Sequence, residues 1–443
     1  MNIFGPNPKR FRACPECPER RLAFTFLEVA GLNFMYNAIN RMRDRASGEE
    51  TSHVNPITWK NNLLDGFEWD NNAWSTNQFG HPYQGSNYYT AARSNGMTYW
   101  EAAGVAAFGS ATWEYFFENN RASYNDIINT TLGGIALGEV MHRAAWLVRD
   151  PMKTGKQRRE LWATAIDPMG GLNRNLSGDW DRVAPRPADM VPSVKSWRVG
   201  GGVFWQGTSL GEASATASPY FIVDLFYGDA RRGESTTPFE AFTLEMAGGP
   251  DLGDALIRGR LYGHEFGKAK GGQLTIFQTY DFTVNPAYAF GGQGFEVEFG
   301  TTRRLSANTT MWLAGSGGAT VLAAVKTLLL PEEIPSDVDK SRDYDYGPGP
   351  RGGGILQFLW TNGARTSLSY RVYQVSVVDG TRATHVLQRA HWDVQVPITR
   401  KVAMGFTAEY FYQTAFFWTA DRLPQSRSNH SPQFRLFAVW SGK

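Results

Sequence analysis

Two kinds of hydrophobic pattern divide the chain at about residue 196. From Leu22 to about Arg43, apolar residues recur at near-helical spacing, and the stretches 98–119 and 124–148 predict two more helices. From Trp197 onward, apolar and polar residues alternate, which is the period of a β-strand, and about twelve such segments follow. The pattern predicts an α+β fold: an N-terminal helical domain followed by an antiparallel, transmembrane-type β-barrel of about 12 strands.

Local signals mark the ends and faces of the predicted helices. Asn95-Gly96 is expected to stop a short helix that starts near Ser86. Ser123 is a good N-cap for the helix at 124–148. Gly134 and Gly138 lie four residues apart on that helix. Such a face of small residues lets another helix approach closely.

The strand segments each have one large apolar face and one small or polar face. Phe295, Val297 and Phe299 alternate with Glu296 and Glu298, and the segments near 389–396 and 402–413 repeat this pattern. The longest segments reach the roughly 9–11 residues that cross a bilayer when tilted. Alternation does not by itself show which face points inward. A soluble β-sandwich or lipocalin-like barrel is therefore the alternative.

The chain is expected to have four segments. Residues 1–21 are a disordered or vestigial N-terminus, 22–150 a helical polar-core domain, 151–195 a Pro- and Gly-punctuated connection, and 196–443 the barrel. Cys14 and Cys17 form a C-x-x-C pair, which is only half of a zinc site. No clean export signal is visible, and no stretch of 18 uninterrupted apolar residues predicts a transmembrane helix.

Composition excludes one class of partner and supports the barrel. Lys plus Arg is 44 and Asp plus Glu is 42, so the chain has no nucleic-acid footprint. Charged residues are 19%, aromatic residues 14%, and the mean hydropathy is −0.37. A barrel whose lipid and lumen faces cancel in the average has this composition. It predicts the outer membrane of a Gram-negative cell, with membrane lipid as a partner.

The segment from Asn77 to Arg143 concentrates polar and charged residues between apolar ones. Buried polar groups need partners, so we expect arginines to neutralise carboxylates there and to help the helices pack. Tyrosines of this segment are expected to bury their rings and use their hydroxyls as further partners. The candidate residues of this polar core are Tyr83, Tyr88, Arg93, Glu114, Glu118, Asp126, Asn129, Glu139, His142 and Arg143.

Two catalytic or metal-binding interpretations compete with this structural one. A metal site would join Glu114 and Glu118 to Glu139-x-x-His142, but the di-iron pattern needs two Glu-x-x-His motifs. We expect no metal and no other cofactor. A hydrolase would use His81 as general base with a nearby serine as nucleophile. The serines considered are Ser86, Ser94 and Ser110, none of which lies in a G-x-S-x-G context.

Three motifs carry a resemblance to a known family. HPYQGSNYYTAARSNG, GSATWEYFFE and NDIINTTLGGIALGE occur in this order over about residues 57–148. They resemble an uncharacterised bacterial cell-envelope family known only as a domain of unknown function. The resemblance implies an envelope setting ahead of a barrel-like C-terminal half, and it implies no reaction. The last segment, PQFRLFAVW, also resembles the terminal strand of outer-membrane proteins.

These observations predict an outer-membrane β-barrel whose helical domain plugs or caps the periplasmic side. Its expected role is structural or in transport, handling lipid or a small polar solute. One alternative is an envelope-lipid hydrolase that uses His81 and neighbouring Arg and Glu residues. The other is a soluble periplasmic ligand-binding barrel. A non-enzymatic role is favoured, and the hydrolase stays open.

Overall fold

The structure is a computed structural model, and the chain divides into two compact units, residues 1–191 and 192–443. It describes residues 20–47, 52–149, 156–180, 189, 195–207, 217–267, 271–329, 333, 342–418 and 425–442. The cysteine pair and most of the predicted N-terminal segment 1–21 lie outside the described residues.

The described part of the first unit consists of helices, the turns that join them and one β-bridge between Glu68 and Ser123. Two π-helical turns, Thr76–Gly80 and Asn129–Gly133, run directly into the α-helices that follow them. The α-helices are α1 Leu22–Ser47, α2 Pro56–Leu64, α3 His81–Ser94, α4 Tyr99–Phe116, α5 Tyr124–Ile128, α6 Gly134–Val148, α7 Lys156–Ile166 and α8 Pro168–Leu176.

The helix ends follow the local signals in the sequence. Gly96, just after α3, has a φ of +83°, a left-handed conformation that glycine adopts without strain. Helix α4 begins with a capping box, in which Thr98 and Glu101 each accept a backbone hydrogen bond from the other. Ser123 precedes α5 as predicted, but its side chain makes no capping hydrogen bond.

Two described findings differ from the sequence-based picture. The segment 151–195, expected to be a connection, includes the helices α7 and α8. Its Pro168 occupies the first turn of α8, where proline fits a helix, so the residue begins a helix there. Helix α1 also has a window, Leu22–Ala46, with a mean hydropathy of 1.3 that is long and apolar enough to cross a membrane. Core helices and signal sequences meet the same criterion.

Helices α3 and α6 touch backbone to backbone through glycines. A Cβ at Gly85 would lie 1.8 Å from the carbonyl oxygen of Thr130, and one at Gly134 would lie 2.5 Å from the carbonyl carbon of Gly85. A Cβ at Gly138 would meet the Tyr89 ring at 2.8 Å. The close approach predicted for the Gly134 and Gly138 face is therefore confirmed.

The second unit is a closed antiparallel barrel of twelve strands in sequential order, with β1 paired to β12. The predicted fold class and strand number are confirmed. The strands are β1 Lys195–Gln206, β2 Ser218–Tyr227, β3 Phe242–Gly249, β4 Leu252–Phe266, β5 Gly272–Val284, β6 Ala289–Arg304, β7 Thr309–Lys326, β8 Tyr344–Trp360, β9 Arg365–Ser376, β10 Ala383–Pro397, β11 Val402–Phe417 and β12 Ser426–Gly442.

The apolar faces of the strands point outward, and the polar faces point into the lumen. On β6, Phe299 is 59% exposed whereas the neighbouring Glu298 is 8% exposed. On β11, Met404 is 57% exposed whereas Glu409 is 4% exposed. A soluble barrel would have the opposite arrangement. An apolar outer face over a polar lumen is the arrangement of a transmembrane barrel.

We predict that Gly85→Ala lowers the free energy of unfolding of the helical unit. The added methyl group has no room beside the Thr130 backbone, and overpacking of this kind costs about 1–3 kcal/mol. The measurement is urea unfolding of the full-length protein, followed by helical circular dichroism.

Gly104→Ala is the matched control for this substitution. Gly104 is also helical, but its Cβ would meet nothing within 4 Å. Removing a helical glycine at an open position should instead stabilise by about 0.5–1 kcal/mol. Equal effects of the two substitutions would contradict the close packing of α3 on α6.

Candidate functional site

The polar core of the helical unit contains two separate clusters of ionisable groups. In the first, which we call the arginine cluster, Arg93 and Arg143 both bind the Glu139 carboxylate. Arg93 Nε lies 2.9 Å from Glu139 Oε2, and Arg143 Nε lies 2.7 Å from Oε1. The Tyr89 hydroxyl donates to Oε2 at 2.8 Å, and Asp189 binds Arg93 at 2.7 Å. All the charges in this cluster are paired.

Burial and pairing oppose each other at the carboxylates of the arginine cluster. Burial alone would raise the pKa of Glu139, but Arg93 and Arg143 outweigh it and hold that pKa below its ordinary value. The same two arginines hold the pKa of Asp189 below its ordinary value. The neighbouring His142 ring lies 3.3 Å from Asp167, and its pKa is lowered mainly by burial. Predicted neutralisation by Arg93 and Arg143 is thus found at Glu139.

The tyrosines and Asn129 take different places around this core. Tyr88 is buried, and its hydroxyl donates to Asn33 and accepts from the Gln84 amide at 2.7 Å. Tyr83 is 39% exposed, so its predicted burial was wrong. Its position on α3 turns its side chain away from the core. At the surface, the Tyr83 ring stacks on the exposed ring of Phe79. Asn129 is buried and donates to the backbone of Asn77 at 3.0 Å.

The second cluster is acidic. Glu114, Glu118 and Asp126 place carboxylate oxygens within 4.8 Å of one another. Nε2 of His81 lies 3.4 Å from Oδ1 of Asp126, and its Nδ1 lies 3.3 Å from the Thr130 hydroxyl. We call these four ionisable residues (His81, Glu114, Glu118 and Asp126) the acidic cluster. In the described part of the chain, His81 is the basic group that pairs with its carboxylates.

The acidic cluster favours protonated carboxyls, unlike the arginine cluster. Burial raises the pKa of Glu114 and of Asp126 well above the ordinary value, and neighbouring carboxylates add to this. Burial and Asp126 raise the pKa of Glu118 to about 7. Burial lowers the pKa of His81, which favours its neutral imidazole. These carboxylates therefore hold charge at a high energetic cost.

The metal set and the hydrolase set predicted from the sequence are not brought together. Glu139 belongs to the arginine cluster and His142 pairs with Asp167, so neither joins Glu114 and Glu118. Helical spacing put Glu114 and Glu118 on one helix face and the Glu139-x-x-His142 pair on another. It did not show that these two faces pack against different partners. The hydroxyls of Ser86, Ser94 and Ser110 each donate to a backbone carbonyl, whereas His81 contacts Asp126 and Thr130.

In the barrel, side chains from facing strands meet across the lumen. Arg389 on β10 binds Asp254 on β4 at 2.6 Å, and these two strands lie on opposite sides of the closed ring. Arg389 also binds Glu409 at 2.6 Å. Arg351 on β8 binds Asp281 on β5 at 2.7 Å. We call these five residues the lumenal belt. Because it joins opposite walls, it crosses the lumen at this level.

An apolar cluster lies beside the lumenal belt. The Phe290 ring of β6 meets the Tyr373 ring of β9 at 4.6 Å, and Tyr288 meets Phe411 of β11 at 5.7 Å. Ala323, Val325, Val375 and Leu387 belong to the same buried cluster. Five strands or more contribute to it, so it packs across the lumen between facing walls.

A chamber of about 920 Å³ occupies the remaining lumen. It reaches the rim that carries both barrel ends, since Trp197 of β1 and Gly442 of β12 line it. Its lining includes ten Arg and Lys side chains against seven Asp and Glu side chains. Among the cations are Arg231, Arg232 and Arg400. The chamber lining is therefore rich in charged residues, with a surplus of positive charge.

The sequence marked single lumenal charges but did not mark their pairing. Arg389 and Asp254 stand 135 positions apart. The usable signal was a charged residue in the middle of a strand, on the face opposite the aromatic side chains. Which strand faces which across the barrel depends on ring closure and on strand register. The alternation of apolar and polar residues predicts neither of them.

We predict that Arg93→Ala lowers the free energy of unfolding of the helical unit by about 3–5 kcal/mol. It leaves the buried Glu139 with one arginine fewer and leaves Asp189 without its guanidinium partner. Urea unfolding followed by helical circular dichroism measures the effect. Arg20→Ala is the control, because the Arg20–Glu101 pair is exposed and should change stability by less than about 1 kcal/mol. Similar losses in both variants would argue against a buried network.

We also predict that the helical unit loses stability in acid. The pKa of Glu139 is lower in the folded state than its ordinary value of 4.5. Its stabilisation is therefore fully present above about pH 4.5 and is lost as the pH falls through the lower folded-state value. Glu139→Gln should be less stable near neutral pH and show a shallower acid loss. A parallel pH profile in the two proteins would contradict this assignment.

Comparison with protein families identifies part of the helical unit. Residues 66–169 match the family described as "Domain of unknown function (DUF3943)". The resemblance predicted from the three motifs is confirmed over this segment. No curated protein sequence matches the chain.

Comparison with solved structures gives remote likenesses to outer-membrane barrels. The NanC porin has a TM-score of 0.30 at 9% identity and covers 56% of this chain and 99% of its own. An outer membrane channel from Pseudomonas putida F1 has a TM-score of 0.27 at 10% identity, and the match covers 58% of this chain and 100% of the channel. The Pseudomonas putida toluene transporter TodX has a TM-score of 0.23 at 8% identity, and the match covers 57% of this chain and 90% of the transporter. The chain therefore carries a segment that matches DUF3943 ahead of a closed twelve-stranded barrel.

Proposed function

We propose that this protein is an outer-membrane barrel that binds a small anionic solute in its lumenal chamber and passes it under control of the lumenal belt. The observation that carries the proposal is the chamber itself, which combines a volume of about 920 Å³ with a surplus of positive charge. Cavities of roughly 300–1,000 Å³ hold small molecules in proteins.

The outer face of the barrel supports the membrane location. The side chains of Phe221, Leu313, Leu368 and Trp392 are all exposed on strands. Exposed apolar surface of this extent on a soluble protein would favour association. In lipid the same surface is solvated, and the closed sheet leaves no strand edge unpaired.

The turns support one orientation for the chamber. At the rim that carries the barrel ends, 305–308, 361–364 and 398–401 are tight connections, although 228–241 is longer. The opposite rim carries the connection 327–343. Outer-membrane barrels have short periplasmic turns and longer extracellular loops. The chamber is therefore placed on the periplasmic side in this proposal.

Positive charge selects the class of solute. A cavity lined by charges of one sign raises the local concentration of ions of the other sign. Arginine also binds carboxylate and phosphate through paired hydrogen bonds, which suits a small organic anion. A lipid or a neutral polar solute, both compatible with the sequence, would make less use of this lining.

The lumenal belt supplies the control. A pair of opposite charges that joins facing walls at 2.6 Å leaves no open passage between its two side chains. Passage through this level requires that Arg389 leave Asp254, and a negatively charged solute competes for that arginine. The predicted helical plug or cap on the periplasmic side stays a prediction.

We predict that Asp254→Asn and Arg389→Ala each raise the conductance of the purified protein in planar lipid bilayers several-fold over a low wild-type value. Each change removes the ion pair across the lumen. Current measured in unequal KCl concentrations on the two sides should also show a preference for chloride over potassium.

Gln388→Ala is the control, because Gln388 precedes Arg389 on the strand and bonds to the exposed Tyr370 on the other face. It should leave conductance and selectivity at wild-type values. A wide-open wild-type pore, unchanged conductance in both belt variants, or a preference for cations would contradict the proposal.

A further inference from the structure

We propose that the acidic cluster of the helical unit is a binding site for one first-row divalent metal ion. Glu114, Glu118, Asp126 and His81 would supply the ligands. This site lies in the helical unit and does not depend on the function of the barrel. It also differs from the set considered on helical spacing alone, because Asp126 and His81 replace Glu139 and His142.

The first support is the geometry of the donor atoms. The three carboxylates bring oxygens within 4.8 Å of one another. Ligand oxygens on opposite sides of a cation with bonds of about 2.1 Å stand about 4.2 Å apart, so a cation between them needs only small side-chain movements. Three carboxylates with one imidazole form a mixed donor set that suits manganese or zinc.

The second support does not depend on the number of acidic residues. It comes from two buried side chains whose hydrogen bonding is incomplete or long. The Glu114 side chain is only 1% exposed, and its Oε1 has no hydrogen-bond partner among the residues that the structure describes. An orphaned buried carboxylate oxygen is costly unless something positive meets it. The His81 ring, also buried, aims Nε2 at Asp126 from 3.4 Å. This is longer than the roughly 2.7–2.9 Å of a charge-assisted hydrogen bond, and both groups would be nearer their usual distances as ligands of one cation.

Groups outside the cluster hold its carboxylates and the far side of the imidazole in place. The backbone N–H of Ser123 donates to Glu114 Oε2 at 2.8 Å, and the Trp113 indole donates to Glu118 Oε1 at 2.7 Å. Asn125 donates to Asp126 at 2.6 Å, and Thr130 contacts His81 Nδ1. Metal ligands in proteins are characteristically oriented by partners of this kind.

The backbone around the cluster is irregular in two places. His81 directly follows the π-helical turn Thr76–Gly80, and Asp126 lies three residues before the turn Asn129–Gly133. Single π-helical turns inside α-helices occur frequently at functional sites. Here one turn precedes His81 of α3 and the other follows Asp126 of α5, and both residues face the carboxylates of Glu114 and Glu118 in this proposal. Glu118 is partly exposed, which provides a route for the ion.

The contrast with the arginine cluster explains why a cation is needed. Glu139 is buried next to two guanidinium groups, whereas the acidic cluster has one imidazole for three carboxylates. Proton binding is the alternative way to remove this charge. A divalent ion neutralises two carboxylates and meets the orphaned Oε1 of Glu114 at the same time.

The test uses the full-length protein in detergent after treatment with a chelator. MnCl₂ is added, and free Mn²⁺ is measured by electron paramagnetic resonance, with ZnCl₂ competition in parallel. We expect one ion per chain. Glu118→Gln and Asp126→Asn should each weaken binding at least about tenfold, since even the loss of a group behind a ligand costs about that much. Asp65→Asn, at an exposed carboxylate that ends α2, should bind as the wild type does.

Thermal unfolding of the helical unit keeps the test decisive if a variant folds poorly. Added Mn²⁺ should raise the wild-type midpoint but leave that of Glu118→Gln unchanged. In chelator, Glu118→Gln should be at least as stable as the wild type, because it removes one of three neighbouring carboxylates that lack a cation. Absence of both Mn²⁺ and Zn²⁺ binding, or variants that bind as tightly as the wild type, would overturn the proposal and leave a cluster of protonated carboxyls.

Discussion

The hydrogen bonding of β1 to β12 is the contact on which the rest of the barrel depends. It runs from Trp197–Gly442 to Gln206–Gln433, and it turns an open sheet into a ring. In lipid, an open edge would leave backbone groups without partners at a cost of several kcal/mol each. Closure also decides the fate of every side chain, because each one must face either the bilayer or the lumen. The charged residues of the strands are thereby forced together inside.

Confinement of charge has different outcomes in the two units. Inside the barrel, arginines and carboxylates pair across the ring, and Arg389 with Asp254 is the widest such pairing. In the helical unit, the arginine cluster is neutralised in the same way around Glu139. Within the described part of the chain, no arginine pairs with the acidic cluster, and Glu114 keeps an oxygen without a partner. A buried group left in this state points to a missing positive partner more than to a packing role.

Much of the fold was predictable from local patterns, and the site was predictable only in part. Period-two alternation identified twelve strands because each strand has lipid on one side and a polar lumen on the other. Thr98 and Asn95-Gly96 marked helix ends through backbone hydrogen bonding and a left-handed turn. Local pattern does not separate α7 and α8 from a connection, because proline and glycine also punctuate loops. Residue type alone does not separate the exposed Tyr83 from the buried Tyr88 and Tyr89.

The sequence by itself determined that helices precede a barrel of about twelve strands, and it determined the composition of the polar core. It also identified the glycine face, because glycines four residues apart on an apolar helix indicate close helix packing without knowledge of the partner. Only the tertiary structure decided that Arg93 and Arg143 share Glu139, that Asp126 joins Glu114 and Glu118 with His81 against it, and that β10 faces β4. The physical reason is that periodicity assigns a residue to a face, whereas ionic partners are chosen by which faces meet. That choice depends on helix packing and on barrel closure, which are properties of the whole chain.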